Sequence, residues 1–253
     1  MSDVPPSSKE LLLALGDANL AAGVQYGLWI ERSPTVEEQI ALSSMSQDKL
    51  GHARAYYQLL EEHFDEDAVA LQYDRDLDAF AWPTGWTAPL PTWQHLVLAQ
   101  VLFSRALMSD ISNVDPGSPA GGLVDKISQE ESWHTRHGDA WLASLADGAH
   151  GSTEDLQAAL DELWPHAVVY LGLPGQERFP GDVDNGSRTV TDTEAREAYL
   201  EEVGAQLEAA GLNVPSVTPS DKLLAELTDA VAENRLELQA LLQDPEGREI
   251  ASL

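Results

Sequence analysis

The 253-residue sequence contains no cysteine, and this absence excludes three kinds of chemistry. Disulfide bonds, thiolate metal sites and cysteine nucleophiles all require the missing side chain. A glycine-rich phosphate loop, a Gly-x-Ser-x-Gly nucleophile elbow and a zinc-binding signature are absent as well. The sequence therefore indicates none of the function classes that these signatures mark.

Long apolar runs are also missing. No stretch approaches the roughly 18 uninterrupted apolar residues that a membrane-spanning helix requires. The N-terminal segment lacks a basic region, and its apolar run ends at Gly16 and Asp17, so it makes a poor signal peptide. We therefore expect a soluble, cytoplasmic protein.

Basic residues are scarce. Fourteen Lys and Arg stand against 43 Asp and Glu, which gives a net charge of −29, and only four of the basic residues are lysines. Nucleic acid and anionic membranes would repel such a chain, so neither is expected as a partner. An acid-rich, lysine-poor composition resembles proteins of halophilic organisms, where concentrated salt screens self-repulsion. An acidic protein from an ordinary environment is the alternative.

Strand patterns are scarce too, whereas helical periodicity fills most of the chain. Four long helices are predicted over about residues 9–30, 34–63, 92–112 and 119–146, the second with Ser33 as its cap. Shorter helices are predicted over about 152–172, 192–210 and 220–243. Pro165 should bend or split the first of these shorter helices.

This pattern predicts an all-α protein built as a four-helix bundle with additional C-terminal helices. The core bundle should cover about residues 9–147 and the accessory C-terminal helices about 152–243, within a single domain over 1–253. The connection between the second and third helices is long enough to allow the crossover that ferritin-like bundles use.

Two six-residue stretches, QDKLGH and QEESWH, share the frame amide, acid, three residues, histidine. A carboxylate-bridged dimetal site uses the motif Glu-x-x-His twice. The second stretch has that motif in Glu131 and His134, but the first has Lys49 ahead of His52. Helical stepping places all four residues in the inward-facing stripes of the second and fourth helices.

The other ligands of a dimetal site are missing. The third helix contains no Asp or Glu over residues 92–109, and the first offers only Asp17 between Glu10 and Glu31. An ammonium group at Lys49 would repel a metal and supply positive charge to Glu131 instead. Each residue taken singly also fits an ordinary solvated helix position or a core histidine.

We therefore predict a vestigial dimetal site in which a buried ion pair between Lys49 and Glu131 replaces the metal, bracketed by His52 and His134. Asp48 and Glu130 each lie one position before Lys49 and Glu131, on the flank of the inward-facing stripe. Such flanking acids orient histidines in dimetal proteins, and Asp17 is a third candidate for that role.

Several motifs in the first 150 residues resemble a known family. They are Leu15-Gly16-Asp17, Gly27-x-Trp29, Asp48-x-x-Gly51-x-Ala53-Arg54, LFSRALM and the spacing of Glu130 and His134. Taken together, they resemble the C subunit of the multicomponent phenylacetyl-CoA epoxidase. The resemblance implies a ferritin-like fold and a place in aerobic phenylacetate catabolism.

The resemblance also implies a role. The C subunit is a non-catalytic structural partner without a cofactor, and the di-iron A subunit epoxidises the aromatic ring of phenylacetyl-CoA. Other epoxidase subunits and an electron-transfer reductase would complete the hetero-oligomer. Because His52, Glu131 and His134 also resemble the A-type motifs, an autonomous metal-dependent oxidase or oxygenase with a mononuclear site at these residues stays open.

Overall fold

The computed structural model of the chain describes residues 7–118, 120–148 and 153–244, without the side chains of Ser7 and Ser8. Within these ranges it contains ten α-helices and no β-strand beyond one isolated bridge. The helices are α1 (Ser7–Trp29), α2 (Val36–Phe64), α3 (Ala68–Tyr73), α4 (Thr84–Thr87), α5 (Trp93–Ser112), α6 (Gly121–Ala146), α7 (Thr153–Tyr170), α8 (Asp192–Ala209), α9 (Asp221–Ala230) and α10 (Ala232–Gln243). The predicted all-α fold, a ferritin-like helical bundle, is confirmed.

Two helix pairs form the bundle. α1 packs along α2, and α5 packs along α6, around a shared apolar core. The connection between α2 and α5 contains the short helices α3 and α4. α7 and α8 pack against α5, and α9 and α10 contact α7, α3 and α4. In the ranges that the structure describes, no helix combines the length and apolar character needed to cross a bilayer.

The inward stripes of α2 and α6 are buried as their periodicity predicts. On α2 the buried members are Leu42, Met45, Lys49, His52 and Tyr56. On α6 they are Val124, Ile127, Glu131, His134, Gly138 and Leu145, whereas Trp141 is only partly buried and packs on Trp93. Polar residues of both stripes therefore face the interior.

The start of α2 differs from the prediction. Thr35 is the cap, because its hydroxyl accepts the N–H of Glu38 at 3.3 Å. Ser33, the predicted cap, instead donates to the carbonyl of Ile30 at 2.8 Å and closes the preceding turn.

Two accessory helices also correct the prediction. Pro165 does not split α7, whose neighbouring side chains are anchored in the core. The helix predicted over 220–243 is divided at Val231, which is buried between α9 and α10. The break lets Asn234 donate to the carbonyl of Thr87 at 2.7 Å. Pro119 and Ser152, the predicted starts of two helices, lie outside the described residues.

Candidate functional site

In the bundle interior, α2 and α6 bring a lysine and a glutamate together. Lys49 Nζ donates to Glu131 Oε2 at 2.7 Å, and both side chains are 0% exposed. An unpaired charge at such depth is strongly destabilising, so each group depends on the other.

Two imidazoles flank the other oxygen of Glu131. His134 Nδ1 donates to Glu131 Oε1 at 3.2 Å. His52 Nδ1 lies 3.4 Å from the same oxygen but is not aligned for a hydrogen bond. The glutamate is therefore bound on one side by Lys49 and bracketed on the other by the histidines.

The acid of each six-residue stretch binds the histidine of the other stretch. His52 Nε2 donates to Glu130 Oε2 at 2.7 Å, and His134 Nε2 donates to Asp48 Oδ2 at 3.2 Å. These bonds cross between α2 and α6. The side chains of Glu130 and Asp48 are 34% and 38% exposed, so they join the buried cluster to the surface.

The charges of the cluster are strongly coupled. Burial by itself would raise the pKa of Glu131, but the charge of Lys49 and the two imidazoles outweigh it and hold this pKa well below its usual range. Burial lowers the pKa of Lys49, and Glu131 opposes that shift. Burial would also lower the pKa of His134, but hydrogen bonds to Asp48 and Glu131 raise it overall. Glu131 is thus an anion at neutral pH.

A second polar chain extends the cluster and was missed by the sequence analysis. Gln100 of α5 donates to the carbonyl of His134 at 2.7 Å, and its Oε1 lies 3.2 Å from His137 Nδ1. His137 Nε2 donates to Glu38 Oε2 at 2.7 Å. Gln100 is the single amide within the apolar run LVLAQVLF, and that isolation was the available signal.

Asp17 lies in a separate network. Its carboxylate accepts hydrogen bonds from the guanidinium of Arg75, from the Tyr57 hydroxyl at 2.6 Å and from the N–H of Ala81 at 2.6 Å. Burial raises the pKa of Asp17 even though Arg75 opposes the shift. Among its bonds to described residues there is none to a cluster histidine, which corrects the predicted placement of Asp17 beside them.

The residues present do not fit a carboxylate-bridged dimetal centre. Such a centre takes carboxylates from four helices. α1 carries only Glu10, which is exposed, and Asp17, while the single acid of α5, Asp110, is bound by Arg178. The second Glu-x-x-His glutamate is replaced by the ammonium of Lys49.

A mononuclear site at His52, Glu131 and His134 meets the same obstacle. Lys49 lies within hydrogen-bond distance of Glu131, and each imidazole already binds a carboxylate with Nε2. Across the part of the chain that the structure describes, no group of three or more His, Asp or Glu residues is placed to hold a metal ion. The cluster can carry charge and bind protons, and its hydrogen bonds link α2 to α6.

Comparisons with known proteins give matches that cover most of the chain. Residues 4–228 match the family described as "Phenylacetic acid catabolic protein". The C subunit of the 1,2-phenylacetyl-CoA epoxidase of Escherichia coli (strain K12) is 29% identical over 217 residues, which are 80% of this chain and 82% of that protein. The A subunit of the same enzyme is 26% identical over 198 residues, 75% of this chain but only 62% of that protein. Identity alone does not separate an A-type from a C-type chain.

Proposed function

The chain belongs to the phenylacetic acid catabolic protein family, and on this premise we propose that it is the non-catalytic, C-type structural subunit of a phenylacetyl-CoA 1,2-epoxidase. In this role it binds the di-iron A-type subunit and carries no metal of its own. One observation carries the proposal: the buried bond between Lys49 and Glu131 stands where a dimetal site would need a second glutamate.

A subunit with this fold and no metal needs such an ion pair for a physical reason. Dimetal bundles direct carboxylates inward, and the metal charge compensates them. Without a metal, Glu131 still needs a positive partner in the apolar interior, because an uncompensated buried charge is costly. Lys49 supplies that charge from the neighbouring helix, so the bundle keeps its shape without iron.

Other epoxidase subunits, an electron-transfer reductase and a cytoplasmic setting belong to the same proposal, since the family resemblance implies them together.

Co-expression with the A-type homologue of the same organism tests the proposed function. A tag on this chain should recover both proteins, and metal analysis should find about two irons per A-type subunit and none in this chain purified alone. Turnover of phenylacetyl-CoA, with the reductase present, should require both proteins. Stoichiometric iron or manganese in the isolated chain, or turnover by it, would overturn the assignment.

A further inference from the structure

The outward side of α2 carries a regular exposed stripe. Its members recur at steps of three and four residues and therefore share one face of the helix: Ile40, Ser44, Gln47 and Gly51. The largest of them, Ile40, is an apolar side chain that is 67% exposed.

α6 lies next to this stripe, and polar contacts join the two helices. The bonds from His134 to Asp48 and from His52 to Glu130 join the two helices beneath the surface. Next to His134 on α6, Trp133 turns outward and is also 67% exposed. We refer to the α2 stripe together with Glu130 and Trp133 as the α2–α6 face.

Gly51 has no role within the described fold that explains it. It lies inside α2 without a positive φ, and a Cβ added there meets no atom within 4 Å. By contrast, a Cβ at Gly16 of α1 would lie 2.6 Å from the Tyr57 ring. Glycine inside a helix is less stable than alanine, and at Gly51 the open space leaves room for another molecule to approach the backbone of α2 closely.

We propose that the α2–α6 face is the docking surface for a helix of the A-type partner, which crosses α2 at Gly51 beside Trp133, with Ile40 about three helical turns away on the same stripe. The absent side chain lets the two helix axes approach closely, and the distance between packed helices depends on the side chains at their contact. Tryptophan is one of the residue types enriched among the few interface residues that dominate binding energy. The inference rests on the proposed function, which supplies the partner.

Charge disfavours a second copy of the chain as the occupant of this face. Two copies would each carry a net charge of −29 and would oppose their own Asp48 and Glu130 across the interface. Lys126 lies 3.8 Å from Glu130 but is well exposed and offsets little of that charge. The occupant that fits is a helix whose apolar side chains are flanked by arginine or lysine.

Two substitutions on the face and one control elsewhere test the proposal. Gly51→Leu fills the space above α2, and Trp133→Ala removes the aromatic anchor. Gly204→Leu on α8 is the matched control, because a Cβ there also meets no atom within 4 Å. The dissociation constant for the purified A-type homologue of the same organism is measured by calorimetry, and thermal unfolding of each free variant is followed in parallel.

Gly51→Leu and Trp133→Ala should each weaken binding roughly tenfold or more. Both leucine variants should unfold at the same temperature as the unmodified chain or about 2–4 °C higher, since leucine favours the helix. Gly204→Leu should bind as the unmodified chain does. We therefore expect Gly51→Leu to bind the A-type homologue more weakly while remaining at least as stable as the unmodified chain.

Other results would overturn the proposal in distinguishable ways. If Gly51→Leu and Trp133→Ala bind with unchanged affinity, the face is not the docking surface, although the proposed function stands. If the unmodified chain fails to bind the A-type homologue, the proposed function itself is wrong. If the chain alone forms a dimer that Gly51→Leu dissociates, a second copy is the occupant and the partner is misassigned.

Discussion

Replacing Lys49 by methionine should destabilise the protein severely. The substitution keeps most of the side-chain volume but removes the cation from a Glu131 that is fully buried. Removing one partner of a buried pair costs about 3–5 kcal/mol, because the other charge is left uncompensated. About 1 kcal/mol moves the unfolding temperature of a chain of this size by roughly 2–4 °C. A fall of about 6–20 °C is therefore expected from these two magnitudes.

Urea unfolding of a double-mutant cycle measures this effect. Glu131→Gln and the double variant Lys49→Met/Glu131→Gln complete the cycle with the single Lys49→Met change. The double variant should recover most of the lost stability, since no bare charge then remains in the interior. Lys222→Met is the control, because Lys222 is exposed and its ion-pair partner among the described residues is Glu226 on the same helix. It should change stability by less than about 0.5 kcal/mol.

The effect of Lys49→Met should also depend on pH. The depressed pKa of Glu131 means that its stabilisation is present above the unfolded-state pKa of about 4.3 and is lost as pH falls through the folded value. Without Lys49 that pKa rises, so the deficit should be largest near neutral pH and shrink toward acid pH. A loss below about 1 kcal/mol at neutral pH would show that Lys49 does not hold the Glu131 carboxylate.

Three further predictions follow from other parts of the structure. Because the pKa of His134 is raised, its contribution to stability should be complete below about pH 6.5 and should decline as pH rises through the folded pKa. An NMR titration of His134 and urea unfolding of His134→Asn can follow this decline, and a folded pKa below about 6.5 would contradict it. Gly16→Ala should cost about 1–3 kcal/mol in thermal unfolding, since its Cβ would meet a Tyr57 ring whose hydroxyl is bound to Asp17, and an unchanged unfolding temperature would refute that packing. Raising KCl from about 0.1 to 1 M should increase the unfolding temperature, because the screening length falls from about 10 to 3 Å around a chain with a net charge of −29; an unchanged temperature would show that self-repulsion is negligible.

Sequence periodicity was sufficient for the four long helices and for the faces that they bury. The stripes of α2 and α6 repeat every three or four residues over several turns, and this repeat depends only on helix geometry. Helix ends were less certain. Thr35 and Ser33 are both good caps, and the choice between them depends on where the chain leaves α1.

The sequence by itself determined that Lys49, His52, Glu131 and His134 face the interior, because a residue's position on its own helix is a local property. Only the tertiary structure decided what each of them binds. His52 binds Glu130 from the opposite helix, and Asp17 binds Arg75, which lies 58 residues further along the chain. Such partners depend on the register and spacing of packed helices, which arise from the fit of all their side chains together and are not encoded in one helix alone.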